Sequence, residues 1–254
     1  MSEEIRFAGQ GGDEIRAELF RPAGSASDTP AVIVVHEVFG LDAFTRSVAQ
    51  RLADAGYTAL APDLYSRSGV PGPESTASDP APAWEIETIR AAVASLPDRR
   101  TAADLEAAAN WLAADDAVDS QSIAVLGFCA GGNQAFLMAC QSRRVAAVVV
   151  YYGRMVYPDL SAAKPVQPLE MALNLSAPLL AFFGQLDPSI PVEDVDAMER
   201  TLAQFSKESD VVRMPGVGHG FANALRPGWD EAAAGVAWER TLGFLAESLG
   251  LSDG

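Results

Sequence analysis

Continuous apolar runs along this chain alternate with stretches in which apolar residues recur every three or four positions. Residues 31–35 (Ala-Val-Ile-Val-Val) form a β-branched run of the kind expected for a strand buried on both faces. Phe44, Val48, Leu52 and Ala55 then fall at helical spacing, and Gly56 stands where a C′ residue ends a helix. Residues 57–61 read as the next strand, stopped by Pro62-Asp63, and Leu105, Ala108, Ala109 and Leu112 mark an amphipathic helix. Residues 123–126 read as a strand followed by a helix-compatible stretch over 133–140. Strands are also predicted over 145–151, 178–183 and 210–214, and a helix through Val195, Met198, Leu202 and Phe205. Trp238, Leu242, Leu245 and Leu249 share one face of a closing helix. At the amino end, short segments near residues 5–7 and 15–20 flank Gly11-Gly12-Asp13, which reads as a hairpin turn. Two excursions interrupt the rhythm, one over 66–83 rich in Ser, Pro and Gly, the other over 153–176 with several prolines.

Strands alternating with helices of this length predict an α/β architecture, a mainly parallel central sheet with helices on both faces. Neither a repeat nor a domain linker is visible, so residues 1–254 are expected to form one domain, with a core over about 15–245. In such sheets chemistry gathers at the carboxyl ends of the strands, which gives weight to the polar residues that follow them. The formal net charge of -16 argues against nucleic acid and anionic membrane as partners. No apolar run reaches the roughly 18–20 residues of a membrane span, and the opening Met1-Ser2-Glu3-Glu4-Ile5 does not read as a secretory signal. The two cysteines, Cys129 and Cys140, lie about three turns apart if helix separates them, too far for a disulfide. A free functional thiol suits a reducing cytoplasm. Two histidines and two cysteines without clustered spacing make a metal site improbable. The choice between monomer and homodimer stays open.

The chemistry centres on Gly127-Phe128-Cys129-Ala130-Gly131. It has the spacing of a nucleophile elbow, G-x-S-x-G, with cysteine in the serine position. A strand driven into a tight turn and then a helix presents the central side chain at a helix N-terminus, where backbone N–H groups stabilise a thiolate or an oxyanion. Side chains at the flanking glycines would clash with the neighbouring strand and helix. A cysteine nucleophile needs a base, and the base needs an orienting acid. His219 is the only histidine after the elbow, and Asp187, in Gly184-Gln185-Leu186-Asp187-Pro188, follows the preceding strand. Cys129, Asp187 and His219 thus stand in the chain order nucleophile, acid, histidine. Each also has a blander reading: a core thiol, a turn-capping aspartate, a solvated loop histidine. Asp194 and Asp196 are rival acids expected on the following helix. The oxyanion donors are expected to be the N–H groups of Ala130 and Val38. Glu37 is either an exposed loop glutamate or a carboxylate beside Cys129 that takes up the thiol proton. His36 is expected to anchor its loop. Phe39, Tyr65, Trp84, Tyr151 and Tyr152 are candidates for an apolar pocket.

Glu37-Val38-Phe39-Gly40, the elbow Gly127-Phe128-Cys129-Ala130-Gly131-Gly132, Asp187, and Gly218-His219-Gly220-Phe221-Ala222 together resemble dienelactone hydrolase. The resemblance implies an α/β-hydrolase fold, a Cys-His-Asp triad, and neither metal nor organic cofactor. It further implies that Glu37 holds the resting thiol away and takes its proton when substrate arrives. The implied activity is hydrolysis of an ester or lactone, of the carboxymethylenebutenolidase type, through a cysteinyl acyl-enzyme. One position departs: Asn223 stands where such enzymes carry an arginine for the substrate carboxylate. Arg90 is a candidate for a second such arginine, and Arg226 lies further along the His219 loop. Asn223, Arg90, Phe39 and Tyr151 are therefore the substrate-binding candidates. Two alternatives remain, a broad short-chain carboxylesterase and a non-hydrolytic thiol sensor or ligand-binding protein. The retained His219 and Asp187 weigh against the second.

Overall fold

A computed structural model describes residues 2–24, 28–67, 87, 91, 93, 94 and 96–251. The strands are β1 (Ser2–Ala8), β2 (Glu14–Phe20), β3 (Thr29–Val35), β4 (Thr58–Pro62), β5 (Val118–Phe128), β6 (Val145–Tyr151), β7 (Leu179–Gly184) and β8 (Ser209–Met214). The helices are α1 (Ala43–Asp54), α2 (Asp98–Ala113), α3 (Ala130–Gln141), α4 (Val192–Gln204) and α5 (Glu231–Leu249). The strands make one eight-stranded sheet in the order β1-β2-β4-β3-β5-β6-β7-β8. β1 and β2 pair antiparallel, β2 meets β4 antiparallel, and every pairing from β4 to β8 is parallel. This is the mainly parallel α/β sheet expected from the alternation, and it fits the α/β-hydrolase fold that the resemblance implies.

Every residue of β3 is buried, so helices must cover both faces there. α1 and α5 are joined by the Arg51 guanidinium, 3.9 Å over the Trp238 ring, while α2 and α3 pack on one another. Asp42 caps α1 by accepting from the Thr45 N–H, and Gly56, with φ of 99°, turns the chain out of it.

The expected hairpin is present, since β1 and β2 pair antiparallel around a 3₁₀ turn over Gln10–Gly12 with Gly11 and Gly12 both at positive φ. Two local expectations need correcting. β5 begins five residues earlier than the apolar run at Ile123, because its polar start (Asp119, Ser120, Gln121, Ser122) still belongs to the strand. The buried stripe of α5 is Ala237, Thr241, Leu245 and Leu249, with Trp238 and Leu242 only half-buried on its flank.

The margins of the sheet are charged. On β1, Arg6 pairs with Glu14 and Glu4. On β8, Arg213 pairs with Asp196 and Glu199, and Asp210 with Arg240. Among the described residues no helix is long and apolar enough to cross a membrane.

Candidate active site

β5 drives directly into α3, and Cys129 occupies the junction with φ 52° and ψ -119°. That left-handed-side conformation is costly for a residue with a side chain. Hydrogen bonds on both sides hold it: Cys129 N–H donates to the Tyr151 carbonyl at 3.0 Å, and the Cys129 carbonyl accepts from Gly132 and Asn133. The turn is tight enough that a Cβ at Gly127 would run into the Gly131 carbonyl, and one at Gly131 into the carbonyls of Val35 and His36. The flanking glycines are therefore steric requirements. Ala130 is the first residue of α3, so its N–H is one of the helix donors without an intrahelical acceptor.

The loops after β7 and β8 bring the other two groups alongside. His219 Nε2 lies 3.2 Å from Cys129 Sγ, and His219 Nδ1 lies 2.6 Å from Asp187 Oδ2. The Asp187 side chain is buried, and its other oxygen accepts from the Ser189 N–H at 2.7 Å. Asp196, a rival acid, is paired with Arg213, and Asp194 lies in the first turn of α4. The His219 imidazole is pushed up to about 11. Burial opposes the charge, but the Cys129 sulfur and the Asp187 carboxylate together outweigh it. An imidazolium at this position is the counter-ion that a thiolate at Cys129 requires.

The loop after β3 forms the opposite wall. His36 is buried and held neutral by the cost of charging it there. Its Nε2 accepts from the Leu64 N–H at 3.1 Å, so Nδ1 carries the proton and meets the Glu37 carbonyl at 2.5 Å. The Tyr65 hydroxyl donates to the Val38 carbonyl at 3.0 Å. Two residues of the β4 side thus hold the backbone on either side of Val38, and His36 anchors its loop as expected.

Glu37 is not an exposed loop residue; it is 3% exposed. Its Oε2 accepts from Asn223 Nδ2 at 2.8 Å. Burial raises its carboxyl above the usual range; the Asn223 bond works against this, Asp42 adds to it, and His219 and Arg226 also work against it. The thiol sits on His219, whereas the resemblance implies a resting sulfur held by Glu37.

Of the substrate-binding candidates, Asn223 is completely buried and turned to Glu37. Phe39 is half-buried with the Arg226 guanidinium 3.3 Å over its ring, and Arg226 lies 3.5 Å from Asp42. Tyr151 must be corrected. Its ring packs among Phe128 and Phe182, and its hydroxyl pairs with Thr241 Oγ1 at 2.7 Å, on the α5 side of the sheet. Its neighbour Tyr152 faces the site instead, with its ring 5.1 Å from that of His219 and a φ of 39°. The Tyr152 hydroxyl is buried without a hydrogen bond of ordinary geometry; burial and then the proximity of Glu37 and Cys129 raise it well above the usual phenol range. Arg90, Trp84 and residues 68–83 of the first excursion lie outside the described residues. The Asn223–Glu37 contact was not foreseen; the only signal was the oddity of both residues beside the elbow and the histidine. Among the described residues no cluster of His, Cys, Asp and Glu could hold a metal ion.

Known proteins resemble this chain over most of its length. The Dienelactone hydrolase family profile matches residues 15–249. A Salmonella typhimurium protein, provisionally named a carboxymethylenebutenolidase, is 37% identical over 237 residues, covering 93% of this chain and 84% of that one. A Bradyrhizobium protein, provisionally named a 2-oxo-3-(5-oxofuran-2-ylidene)propanoate lactonase, is 32% identical, covering 93% of this chain and 91% of its own. A solved structure from Klebsiella pneumoniae, provisionally titled a dienelactone hydrolase, superposes with a TM-score of 0.87 at 31% identity over 97% of this chain and 98% of that one. The chain is a hydrolase belonging to the dienelactone hydrolase family.

Proposed function

We propose that this protein hydrolyses an ester or lactone through a thioester on Cys129. The thiolate attacks the carbonyl carbon, and the N–H groups of Val38 and Ala130 receive the oxyanion. As the tetrahedral intermediate collapses, the carbon–oxygen bond to the leaving alkoxide breaks and His219 gives that oxygen its proton. A lactone leaves its alcohol tethered to the acyl group; an ester releases it. His219 then takes a proton from water, the hydroxide attacks the thioester, and the acid departs with the thiolate restored. Asp187 orients the imidazole and stabilises its charged form. Glu37 is the second partner available to the thiol: while the sulfur rests on Glu37 the nucleophile is silent. A reducing compartment such as the cytoplasm suits this free thiol.

The observation that supports this reading is the unbroken line Sγ–Nε2 at 3.2 Å and Nδ1–Oδ2 at 2.6 Å, at the carboxyl ends of three strands. Replacing Cys129 by alanine tests it: hydrolysis of p-nitrophenyl acetate is expected to vanish while the circular dichroism spectrum stays that of the wild type. Unchanged turnover in that variant rejects the assignment.

A second reading, a broad esterase for uncharged acyl groups, is favoured by the fate of two residues. Asn223 is spent on Glu37, and Arg226 is stacked on Phe39 beside Asp42. Kinetics on a dienelactone beside p-nitrophenyl acetate separate the two. A preference for the carboxylate-bearing lactone supports the first reading; indifference to its carboxylate supports the second.

A further inference from the structure

We propose that Arg154 is a positioning residue that ties the acid loop to the elbow helix and so fixes the Asp187 carboxylate against His219. The inference rests on the proposed thiol hydrolase reading and deepens it.

The acid loop needs such a tie because of its composition. Between Asp187 and α4 the chain reads Pro188-Ser189-Ile190-Pro191, and the two prolines have no N–H to give. A loop so short of donors cannot be laced to its neighbours by backbone bonds alone. Side chains hold it at Ser189 from both ends: the Ser189 N–H donates to Asp187 Oδ1 at 2.7 Å, and the Ser189 carbonyl accepts from the Arg154 guanidinium. Asp187 Oδ2 is thereby left to His219 Nδ1 at 2.6 Å. A carboxylate with one oxygen anchored does not swing the other off the imidazole.

Arg154 is itself fixed from the nucleophile's side. It follows Gly153 just past β6, where the chain lies so close to α3 that a Cβ on Gly153 would fall 2.9 Å from the Gly132 carbonyl carbon and 3.0 Å from the Asn133 nitrogen. There the Arg154 N–H donates to Asn133 Oδ1 at 2.6 Å. Asn133 is buried near the start of α3, and its own N–H donates to the Cys129 carbonyl at 3.3 Å. The bonds therefore close a ring, from the Cys129 carbonyl through Asn133, Arg154, Ser189, Asp187 and His219 back to the Cys129 sulfur. The Arg154 side chain spans the gap between the nucleophile's half of that ring and the acid's half. A charged donor makes its bond to the Ser189 carbonyl stronger than a neutral one would. The same charge opposes the rise that burial imposes on the Asp194 carboxyl, in the first turn of α4. Asp194, a rival acid in the sequence, is thus a neighbour of Arg154 instead.

The test is Arg154→Met, which keeps the apolar stem of the side chain and removes the donor and the charge. On p-nitrophenyl acetate, which has no carboxylate for Arg154 to meet, kcat is expected to fall by about tenfold or more, the scale of one hydrogen bond from a charged group. KM should stay within about twofold of the wild type. The low-field proton NMR resonance of the His219 Nδ1–H, the mark of a short bond to a carboxylate, should weaken and move upfield. In an Asp187→Asn background the same change should cost less than about twofold, since Arg154 acts through a carboxylate that is no longer there. A residue serving only the stability of the loop would lower Tm, leave the resonance in place and cost the same in both backgrounds. A wild-type kcat, an unmoved resonance, a loss confined to KM, or an undiminished loss in Asp187→Asn overturns the proposal. Arg154→Leu replaces the methionine variant if that one does not fold. If the wild type cleaves no ester or lactone, the hydrolase reading fails, and the resonance alone decides for or against the positioning role.

Discussion

The junction of β7 with the acid loop offers a demanding test, because one methyl group there presses on the histidine. Gly184 ends β7, and a Cβ built on it would lie 2.6 Å from the carbonyl oxygens of both Val217 and Gly218. Ordinary carbon–oxygen contact begins near 3.3 Å, so the two segments must part by about 0.7 Å. Gly184 lies three residues before Asp187, and Gly218 directly precedes His219, so the displacement falls between the two partners of the 2.6 Å Nδ1–Oδ2 bond. Leu186 N–H also donates to the Val217 carbonyl at 2.9 Å, tying the loops at the point being forced apart. Overpacking of this kind costs about 1–3 kcal/mol, and each kcal/mol lowers Tm by about 2–4 °C in a chain of this size. Misplacement approaching 1 Å at a reacting group reduces turnover by up to about 10²-fold. Gly184→Ala should therefore lose both stability and kcat, read by thermal melting and by steady-state hydrolysis of p-nitrophenyl acetate. The control is Gly243→Ala in α5, where a Cβ meets nothing within 4 Å. There the gain in helix propensity, about 1 kcal/mol, should raise Tm and leave kcat alone. Wild-type melting and turnover in Gly184→Ala would refute the steric argument. A lowered Tm with unchanged kcat would show that the two loops do not set the alignment of His219.

Replacing Asp187 by asparagine should cut kcat by about 10³–10⁴-fold, since the imidazole loses both its orienting acceptor and its counter-charge; a loss under tenfold would remove Asp187 from the mechanism. In a proton NMR titration His219 should stay charged well past neutrality and titrate near 11, and in Cys129→Ala it should titrate lower, because the sulfur is one of the groups raising it. The stability His219 contributes is accordingly full below 6.5 and drains away as pH rises through about 11. His36 has the opposite sign: burial depresses its folded value, so its contribution is present above 6.5 and lost as pH falls below that, and the urea midpoint should drop on acidification less steeply in His36→Gln. Thr241→Val strands the buried Tyr151 hydroxyl and should cost about 1–3 kcal/mol with unaltered ester kinetics; a parallel loss of kcat/KM would place Tyr151 back in the substrate pocket.

The strands were legible because burial on both faces leaves continuous β-branched runs, as in β3. The elbow was legible because its chemistry is local, five consecutive residues whose spacing a backbone turn demands. Cys129, Asp187 and His219 could be brought together on paper only because parallel strands deliver their following loops to one edge. Tyr151 was misplaced for a specific reason. The choice between two adjacent tyrosines depends on where strand alternation stops, and Tyr152 breaks it by taking a positive φ. The start of β5 was hidden because polar residues at the sheet end carry no hydrophobic signal. The Asn223–Glu37 bond joins residues 186 positions apart and involves two side chains whose usual place is the surface, so no local pattern announces it.

The charged outer strands bear on how this molecule meets its own kind. Exposed backbone along the rim of a sheet is a ready template for another chain, and here each rim carries guanidinium and carboxylate groups already engaged with one another. A second copy could dock there, strand to strand, only by desolvating those ion pairs. Self-association, where it occurs, is better served by helices and loops, which would leave the sheet eight strands wide and the strand tips open to small molecules.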